Sequence, residues 1–404
     1  MRILYIGPTG FPGRDGGGGG AVGRCMHMIA KGLVREGHQV TVAMINRGTS
    51  GPPSDCVDGI SVHWSNVLPP GYPLSTLRRV KRFMMSRYNF VRTIGRLVGA
   101  NQPDWIIVYS TGLEAVLPCL FQRLRHKVRF ALQHGDIFDA ATWGSTIQEL
   151  NLVASLRIGL PFCSLVLNSG SEQLGQQMRQ LWGGANVVPV PPPVDVELFA
   201  SADGETFRAR HGLAGERLIT YLGGFKSFEG LEDLIDAAVP LLRDDSSLRL
   251  VLAGGGGVPQ DLSRVQAYAA RRRGAEQVWF PGMLELREVT QLLATSTVIV
   301  LPKTDHPANR AAMPIKLGEY LASGRPVVSA AVGGIVERLR HGENGLLCQP
   351  GDIVAMRGAI ERVLQDPEEA VRLGHNGRQT AWDALDIGVV ARNLTAALSE
   401  AMER

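Results

Sequence analysis

The sequence predicts an α/β fold made of two Rossmann-like domains, each built on a doubly wound parallel sheet. Its 404 residues are more than one ordinary hydrophobic core accommodates. Short apolar runs alternate with longer helical patterns along the whole chain, as expected for parallel strands that helices cover on both faces. A proline-rich stretch at residues 188–195 separates two series of this alternation. We therefore expect an N-terminal domain over residues 1–195 and a C-terminal domain over residues 196–404.

The first series contains six strand-like runs, and helical patterns separate most of them. These runs are residues 2–6, 40–44, 60–64, 105–109, 128–132 and 165–167. Four prolines then fall within residues 188–195. Because proline lacks a backbone donor and restricts the residue before it, this stretch predicts an extended linker.

The second series repeats the pattern after the linker. Its apolar runs predict a helix at residues 230–242 and strands at residues 218–222, 248–253, 278–280, 298–301 and 327–329. The tail after about residue 376 has a helical pattern. The second half of the chain is therefore predicted to be an α/β domain of similar size.

Composition restricts the class of protein. Hydrophobic residues make up 45% of the chain and charged residues 20%, which suits a globular protein. No apolar run reaches the roughly 18 uncharged residues of a spanning helix, and the start of the chain does not resemble a signal peptide. Five cysteines without a C-x-x-C pair argue against a disulfide framework or a zinc site and favour a reducing cytoplasm. The net charge of +4 identifies no partner by itself, and we expect no nucleic acid.

A candidate phosphate site begins at Pro314. Proline is favoured at the first position of a helix, where the backbone N–H groups and the helix dipole attract a phosphate. Glu319 lies about one turn further, and its two carboxylate oxygens could accept both hydroxyls of a ribose. Lys316 lies on the same side of this helix. The alternative is a surface helix with a Lys–Glu pair.

Two features of the N-terminal half also suit ligand binding. His134 directly follows a predicted strand, and open α/β sheets bind ligands at the carboxyl ends of their strands. The glycine run at residues 16–20 is permissive backbone that could approach a diphosphate. It matches the dinucleotide fingerprint, but the preceding strand ends near Gly7, too far away for that motif, so we disfavour NAD(P) binding. A structural histidine and a flexible loop are the alternatives.

The order and spacing of several short motifs resemble the retaining GT-B glycosyltransferases of family 4, and the resemblance covers nearly the whole chain. The strongest match is the segment 314–328. The other motifs are Gly19-Gly20, Gly37-His38-Gln39-Val40, Pro191-Pro192-Pro193-Val194-Asp195, the segment 223–230 and the segment 333–347.

This resemblance implies a GT-B architecture, in which two Rossmann-like domains face each other across a cleft. The C-terminal domain would bind a nucleotide-sugar donor of the UDP or GDP type. The N-terminal domain would bind most of the acceptor, which could be a glycan, a lipid-linked sugar or a small molecule. Transfer would retain the anomeric configuration and need no metal, no other cofactor and no covalent protein nucleophile. The last helix, from about residue 376, would cross back onto the N-terminal domain.

Three positions depart from the family pattern. Ala311 stands where the first glutamate of the family's E-x7-E motif contacts the donor sugar. Gly224 and Glu229 stand where the family has an arginine and a lysine. The cations that could replace them are Lys226, Lys303, Arg310 and Lys316. Two alternatives therefore stay open: a nucleotide-sugar 2-epimerase on the same fold, and a non-catalytic relative that binds sugar nucleotides.

The candidate site residues follow from the resemblance and from these departures. His134 would reach the donor sugar, while Lys226 and Lys316 would meet the charge of the leaving diphosphate. The expected donor contacts are Gly19, Gly20, Gly223, Gly224, Met283, Arg310, Met313, Pro314, Ile315 and Glu319.

Residues 74–99 form a basic amphipathic segment with seven Lys and Arg and no acidic residue. Apolar residues recur in it at helical spacing. Such a helix can lie on an anionic membrane, which predicts a cytoplasmic protein in peripheral contact with the inner face of the membrane. The alternative is a helix whose apolar stripe packs into the core and whose basic face is solvated.

Overall fold

The computed structural model describes residues 1–9, 11, 21–46, 54–65, 76–109, 112–135, 146–255 and 259–403. The chain divides into two compact units. The first comprises Met1–Pro193 together with Ile387–Arg404, and the second comprises Val194–Asp386. Each unit has one sheet and its own helices, so both are α/β as predicted.

The described part of the first unit forms one sheet of eight strands. They are β1 (Arg2–Thr9), β2 (Gln39–Asn46), β3 (Ser54–Val57), β4 (Ile60–Trp64), β5 (Trp105–Tyr109), β6 (Arg129–His134), β7 (Leu165–Asn168) and β8 (Val187–Pro189). Their spatial order is β3-β4-β2-β1-β5-β6-β7-β8. All neighbouring pairs are parallel except β3 with β4. Every residue of β5 and β7 is buried, as expected for central strands covered on both faces.

Within the residues that the structure describes, five helices accompany this sheet before the second unit begins. They are α1 (Ala21–Arg35), α2 (Thr76–Asn101), α3 (Leu113–His126), α4 (Thr146–Gly159) and α5 (Glu172–Leu181). The predicted helix at residues 74–99 therefore exists as α2, although its residues 74 and 75 lie outside the described part of the chain.

Strand β3 was not predicted from the sequence. It pairs with β4 through a two-residue turn at Asp58 and Gly59, which have φ angles of 50° and 78°. An Asp-Gly pair suits such a turn, because both positions require a positive φ. The first two residues of the predicted linker, Val188 and Pro189, belong to β8. Proline is tolerated there because β8 is an edge strand.

The second unit contains a parallel sheet of six strands. They are β9 (Arg217–Gly223), β10 (Leu248–Gly254), β11 (Val278–Gly282), β12 (Val298–Leu301), β13 (Val327–Ala330) and β14 (Leu346–Cys348). Their order is β11-β10-β9-β12-β13-β14, so the sheet grows outward in both directions from β9. This is the strand order of a doubly wound nucleotide-binding domain. Only the short edge strand β14 was missing from the sequence prediction.

Nine helices accompany the second sheet within the described residues of this unit. They are α6 (Val196–Ala200), α7 (Gly204–His211), α8 (Leu231–Asp244), α9 (Pro259–Ala270), α10 (Leu286–Thr295), α11 (Pro307–Ala311), α12 (Ile315–Ala322), α13 (Ile353–Gln365) and α14 (Pro367–Ala384).

The C-terminal tail is two helices that belong to different units. The helix α14 stays in the second unit, whereas α15 (Ile387–Glu403) belongs to the first. Gly32 of α1 packs against Ala391, and His38 Nε2 lies 2.8 Å from Thr395 Oγ1. The helix that returns to the first unit therefore begins at Ile387 rather than near residue 376. In the part of the chain that the structure describes, no helix has both the length and the apolarity needed to cross a membrane.

Candidate functional site

The carboxyl ends of β9 and β12 lie next to each other where the strand order of the second sheet reverses. Open α/β sheets bind ligands at such a switch point. The loop after β9 carries Gly224 and Lys226, and the loop after β12 begins with Pro302 and Lys303. The second unit therefore brings two of the predicted cationic segments to one edge of its sheet.

A buried cluster of charged groups occupies this edge. The Glu229 carboxylate lies 2.8 Å from Nζ of Lys303 and 3.0 Å from Nζ of Lys316. It also accepts a hydrogen bond of 2.9 Å from the Tyr221 hydroxyl. Only 7% of Glu229 and 6% of Lys303 are exposed. One carboxylate between two ammonium groups gives these three side chains a net charge of about +1, which favours an anion, and the Glu319 carboxylate offsets part of that charge at Lys316.

Burial and the two lysines set the ionisation of this cluster. Burial alone would raise the pKa of Glu229, but the charges of Lys316 and Lys303 outweigh it and lower that pKa to about 2. Burial lowers the pKa of Lys316 to about 8, against the opposing effect of Glu229. The carboxylate is therefore ionised at neutral pH, and Lys316 is a cation that can lose its proton just above neutrality.

Two glycines allow these side chains to meet. Gly230 follows Glu229 with a φ of 75°, and a Cβ at this position would lie 1.8 Å from the Pro302 carbonyl oxygen. A Cβ on Gly223 would lie 2.1 Å from Nζ of Lys316. Gly230 is therefore required for its backbone, whereas Gly223 leaves the space that the Lys316 ammonium group occupies in this structure.

Helix α12 presents its amino end in the same unit. Pro314 precedes it as the N-cap residue, one position earlier than predicted, and no side chain caps the first turn. Glu319 is 92% buried, and its carboxylate has no hydrogen bond or ion pair within the described residues. Its oxygens are not among the fully buried atoms that lack a partner, so the carboxylate keeps access to solvent and is a candidate for a ligand contact.

Lys226 lies beside an aromatic pair in the loops after β9 and β12. Its Nζ is 5.5 Å from the centre of the Phe228 ring, and Nζ of Lys303 is 5.7 Å from the same ring. The Phe228 ring stacks on His306, with 5.2 Å between centroids. Lys226 is therefore near the Glu229 cluster, and its carbonyl accepts from the Glu229 backbone N–H at 3.0 Å. Among the described side chains, the Glu229 carboxylate contacts Lys303, Lys316 and Tyr221.

Asn309 and Arg310 are engaged with the protein itself. Asn309 Nδ2 donates to the carbonyls of Phe228 at 2.8 Å and Thr304 at 2.9 Å. The exposed guanidinium of Arg310 forms two hydrogen bonds of 2.6 and 2.7 Å with Asp305. Ala311, at the end of α11, is fully buried. Replacement of the missing first glutamate by either neighbour would require these bonds to rearrange.

The remaining predicted donor contacts of the second unit differ in exposure. Met283 follows β11 and is 74% exposed. Met313 is buried, and a Cβ on Gly334 would lie 2.7 Å from its terminal methyl group. Ile315 occupies the first turn of α12. Met283 is therefore accessible to a ligand, whereas Met313 is mainly a packing residue in this structure.

His134 lies in the first unit, at the carboxyl end of β6. Its side chain is 97% buried, and burial lowers its pKa to about 4. The ring is therefore neutral near pH 7. The two other candidates of this unit, Gly19 and Gly20, lie outside the described residues.

Tyr221 is a member of the cluster that the sequence did not predict. It lies inside β9, where an aromatic residue in an apolar run indicates only core packing. Its hydroxyl nevertheless accepts from Nζ of Lys316 at 3.0 Å, and its single proton is shared between the Gly224 carbonyl at 2.5 Å and the Glu229 carboxylate at 2.9 Å. Lys303, by contrast, was named from the sequence among the cations that could replace the missing family residues, and it follows the end of β12.

Comparison with known proteins shows that the two halves of the chain match two protein families. Residues 20–193 match the "Glycosyl transferase 4-like domain", and residues 216–366 match "Glycosyl transferases group 1". Together they cover most of both units.

Among curated relatives, the glycogen synthase of Mycobacterium tuberculosis is 31% identical over 185 residues, 46% of this chain and 43% of that protein. The D-inositol 3-phosphate glycosyltransferase of Acidothermus cellulolyticus is 30% identical over 246 residues, 59% of this chain and 51% of that protein. The chain thus spans about half the length of the curated relatives it matches.

The crystal structure of Anabaena Alr3699/HepE in complex with UDP has a similar fold. Its TM-score is 0.73 at 18% identity, and the match covers 99% of this chain and 100% of that one. The same protein has also been solved in complex with UDP-glucose. At this level of identity the likeness shows the fold.

Proposed function

Because the chain belongs to the group 1 glycosyltransferases, we propose that it transfers a sugar from a nucleoside diphosphate sugar to an acceptor hydroxyl with retention of configuration. Both the family and the GT-B fold class predicted from the sequence are confirmed. The observation that carries the proposal is the buried, net-positive cluster of Glu229, Lys303 and Lys316 at the switch point of the second sheet.

The proposed donor site divides between the cluster and α12. The diphosphate would lie against Lys303, Lys316 and the uncapped amino end of α12, where cations and backbone N–H groups favour an anion. The Glu319 carboxylate would accept hydrogen bonds from the ribose hydroxyls. Exposed Met283 would contact the nucleobase. These contacts orient the anomeric carbon before reaction.

During transfer, the bond between the anomeric carbon and the diphosphate oxygen breaks, and the acceptor oxygen bonds to the same face of that carbon. Negative charge grows on the leaving diphosphate, and the preorganised lysine cluster stabilises it. The acceptor proton passes to an oxygen of the leaving phosphate. In this scheme the protein supplies no covalent nucleophile. We propose that no metal takes part, so EDTA should leave the rate unchanged.

A donor of the UDP type is our first choice, and a GDP-sugar is the alternative. The support is that a protein of similar fold has been solved with UDP and with UDP-glucose. The acceptor remains a choice among a glycan, a lipid-linked sugar and a small molecule, and the cytoplasmic location remains a prediction.

A donor screen followed by product analysis tests this function. UDP- and GDP-sugars that bind should raise the unfolding temperature, because a ligand that binds only the native state stabilises it. Incubation with the best donor should release free nucleotide and yield a glycosylated acceptor with the donor's anomeric configuration. A C2-inverted nucleotide sugar would instead identify an epimerase. Binding without any product would identify a non-catalytic relative, as the departures at Ala311, Gly224 and Glu229 allow.

A further inference from the structure

Large apolar side chains are exposed on α3, on α4 and on the turn that follows α4 in the first unit. On α3 these are Leu117, Phe121 and Leu124, which are 48%, 57% and 62% exposed. On α4 and the turn that follows it they are Ile147, Leu150, Ile158 and Phe162. We call these seven residues the α3–α4 face. Scattered exposed apolar residues are ordinary, but a concentration of them marks an interaction surface.

The spacing on α3 shows that this exposure is systematic. Leu117, Phe121 and Leu124 recur at intervals of four and three residues, so they form one stripe along the helix. The opposite side of α3 is already buried through Ala115, Val116, Cys119 and Leu120. A helix that is apolar on both sides normally has both sides covered. The stripe therefore indicates a second apolar environment outside the unit.

The neighbouring helix α2 continues this surface. Met85, Tyr88 and Val91 on α2 are 54%, 59% and 41% exposed. Arg87 of α2 lies 3.8 Å from Glu114 of α3, and Asn151 of α4 donates to the same carboxylate at 3.0 Å. Glu114 thus fixes all three helices to one another, so their exposed sides are held in a constant arrangement.

The charge of these helices is strongly positive. By sequence, α2, α3 and α4 contain seven, two and one Lys or Arg, and their acidic residues are Glu114 and Glu149. Among the described side chains, the exposed cations are Arg92, Arg96, Arg125 and Arg157. An apolar surface bordered by cations has the composition of a segment that lies in the interface of an anionic membrane.

We infer that the α3–α4 face, with the basic helix α2, docks on an anionic lipid bilayer. The apolar side chains would enter the interfacial region, and the arginines would contact the headgroups. A second copy of the chain is a poorer occupant, because a two-fold interface would bring the same basic helices against each other. The inference goes beyond the proposed transfer reaction and assigns the partner surface to three helices, whereas the sequence indicated only residues 74–99.

Vesicle co-sedimentation of the full chain tests this inference. Wild type should bind phosphatidylcholine vesicles that contain phosphatidylglycerol, and bind pure phosphatidylcholine vesicles much less. Binding should weaken with added salt, since exposed charges are screened.

The variant Leu117→Ser, Phe121→Ser, Leu124→Ser should bind at least tenfold more weakly than wild type, and the variant Arg125→Gln, Arg157→Gln about tenfold more weakly. The variant Leu198→Ser, Val354→Ser, Val371→Ser removes three exposed apolar side chains from the second unit and should bind like wild type.

Donor-induced thermal shift, measured on each variant, separates loss of docking from loss of fold or of donor binding. If the triple serine variant does not fold, Phe121→Trp provides a second measurement. Its added fluorescence should shift to shorter wavelength and be quenched by brominated lipids only in anionic vesicles. Equal binding by wild type and the triple serine variant would overturn the inference. Absence of wild-type binding, together with a dimer that the serine variant abolishes, would reassign the face to self-association.

Discussion

Glu229 is held between two lysines, and its removal would leave two ammonium groups buried side by side. Breaking a buried ion pair by removing one partner typically costs about 3–5 kcal/mol. We therefore expect Glu229→Gln to lower the free energy of unfolding by about 3 kcal/mol near pH 7, as measured by urea denaturation. The folded-state pKa of about 2 lies below the ordinary 4.5, so this stabilisation is complete above pH 4.5 and is lost as the pH falls through 2.

The control for this variant is Glu205→Gln. Glu205 also faces an arginine, at 3.8 Å from Arg208, but its side chain is 88% exposed. Exposed pairs contribute about 0–1 kcal/mol. Equal losses of stability in the two variants would contradict a buried cluster around Glu229.

Lys316 gives the proposed enzyme an upper pH limit. Its pKa of about 8 means that the ammonium group needed by the leaving diphosphate loses its proton above that pH. We expect kcat/KM to fall about tenfold per pH unit above about pH 8, because this parameter reports the free enzyme. In Lys316→Arg the cation persists to a higher pH, since arginine stays protonated, so the fall should disappear or move upward. If wild type and Lys316→Arg have the same pH profile, the charge of Lys316 does not cause the fall in kcat/KM.

Glu319→Gln separates charge from shape at the proposed ribose contact. The amide keeps the size of the side chain but replaces one acceptor oxygen by a donor. Losing a charged hydrogen bond should weaken donor affinity by roughly 1.5–3 kcal/mol, which calorimetric titration with the nucleotide sugar would detect. The unfolding free energy of the ligand-free protein should decrease only slightly, because within the described residues the carboxylate makes no hydrogen bond or ion pair and acts on Lys316 through space alone. Unaltered donor affinity in this variant would exclude Glu319 from the site.

At the residue scale, the sequence predicted Lys316 and Glu319 because both stand at fixed offsets from the helix start at Pro314. It could not predict the role of Glu229, which looked like the loss of a cation. That role depends on two lysines 74 and 87 positions away along the chain, which only the strand order brings together. The contacts of the Tyr221 hydroxyl could not be predicted for the same reason.

At the scale of elements, the turn between β9 and α8 determines whether the cluster can form. Gly230 has a left-handed φ of 75°, and a Cβ there would meet the Pro302 carbonyl oxygen at 1.8 Å. Gly230→Ala should therefore cost about 2 kcal/mol or more and displace Glu229 from the lysines. Gly212→Ala is the matched control, because its φ of 65° is also left-handed but no atom lies within 4 Å of its Cβ. If both variants lose the same stability in thermal unfolding, the close packing at Pro302 is not the cause.

The same scale shows why most strands could be predicted and three could not. Most of the predicted strands are apolar runs buried on both faces, such as β5, and this pattern is visible in a single sequence. The missed strands β3, β8 and β14 have three or four residues and lie at sheet edges. Such segments carry too few apolar residues to be distinguished from loops, and Pro189 in β8 argued for a linker.

At the scale of the whole molecule, the first unit is completed by the last helix of the chain, because α15 returns to it after the second unit ends. Leu394 and Leu398 of α15 are fully buried or nearly so, and α15 packs against α1. Leu394→Ala with Leu398→Ala should therefore destabilise the first unit by several kcal/mol, since each buried leucine contributes about 2–5 kcal/mol. Hydrogen exchange should show lost protection in α1 and β2 and unchanged protection in β9 and β12.

Leu373→Ala in α14 is the reciprocal control, because Leu373 is fully buried in the second unit, and its loss should loosen β13 but not α1. Loss of protection in the second sheet with the α15 variant would show that the last helix stabilises both units, and the division at Asp386 would then have to be abandoned.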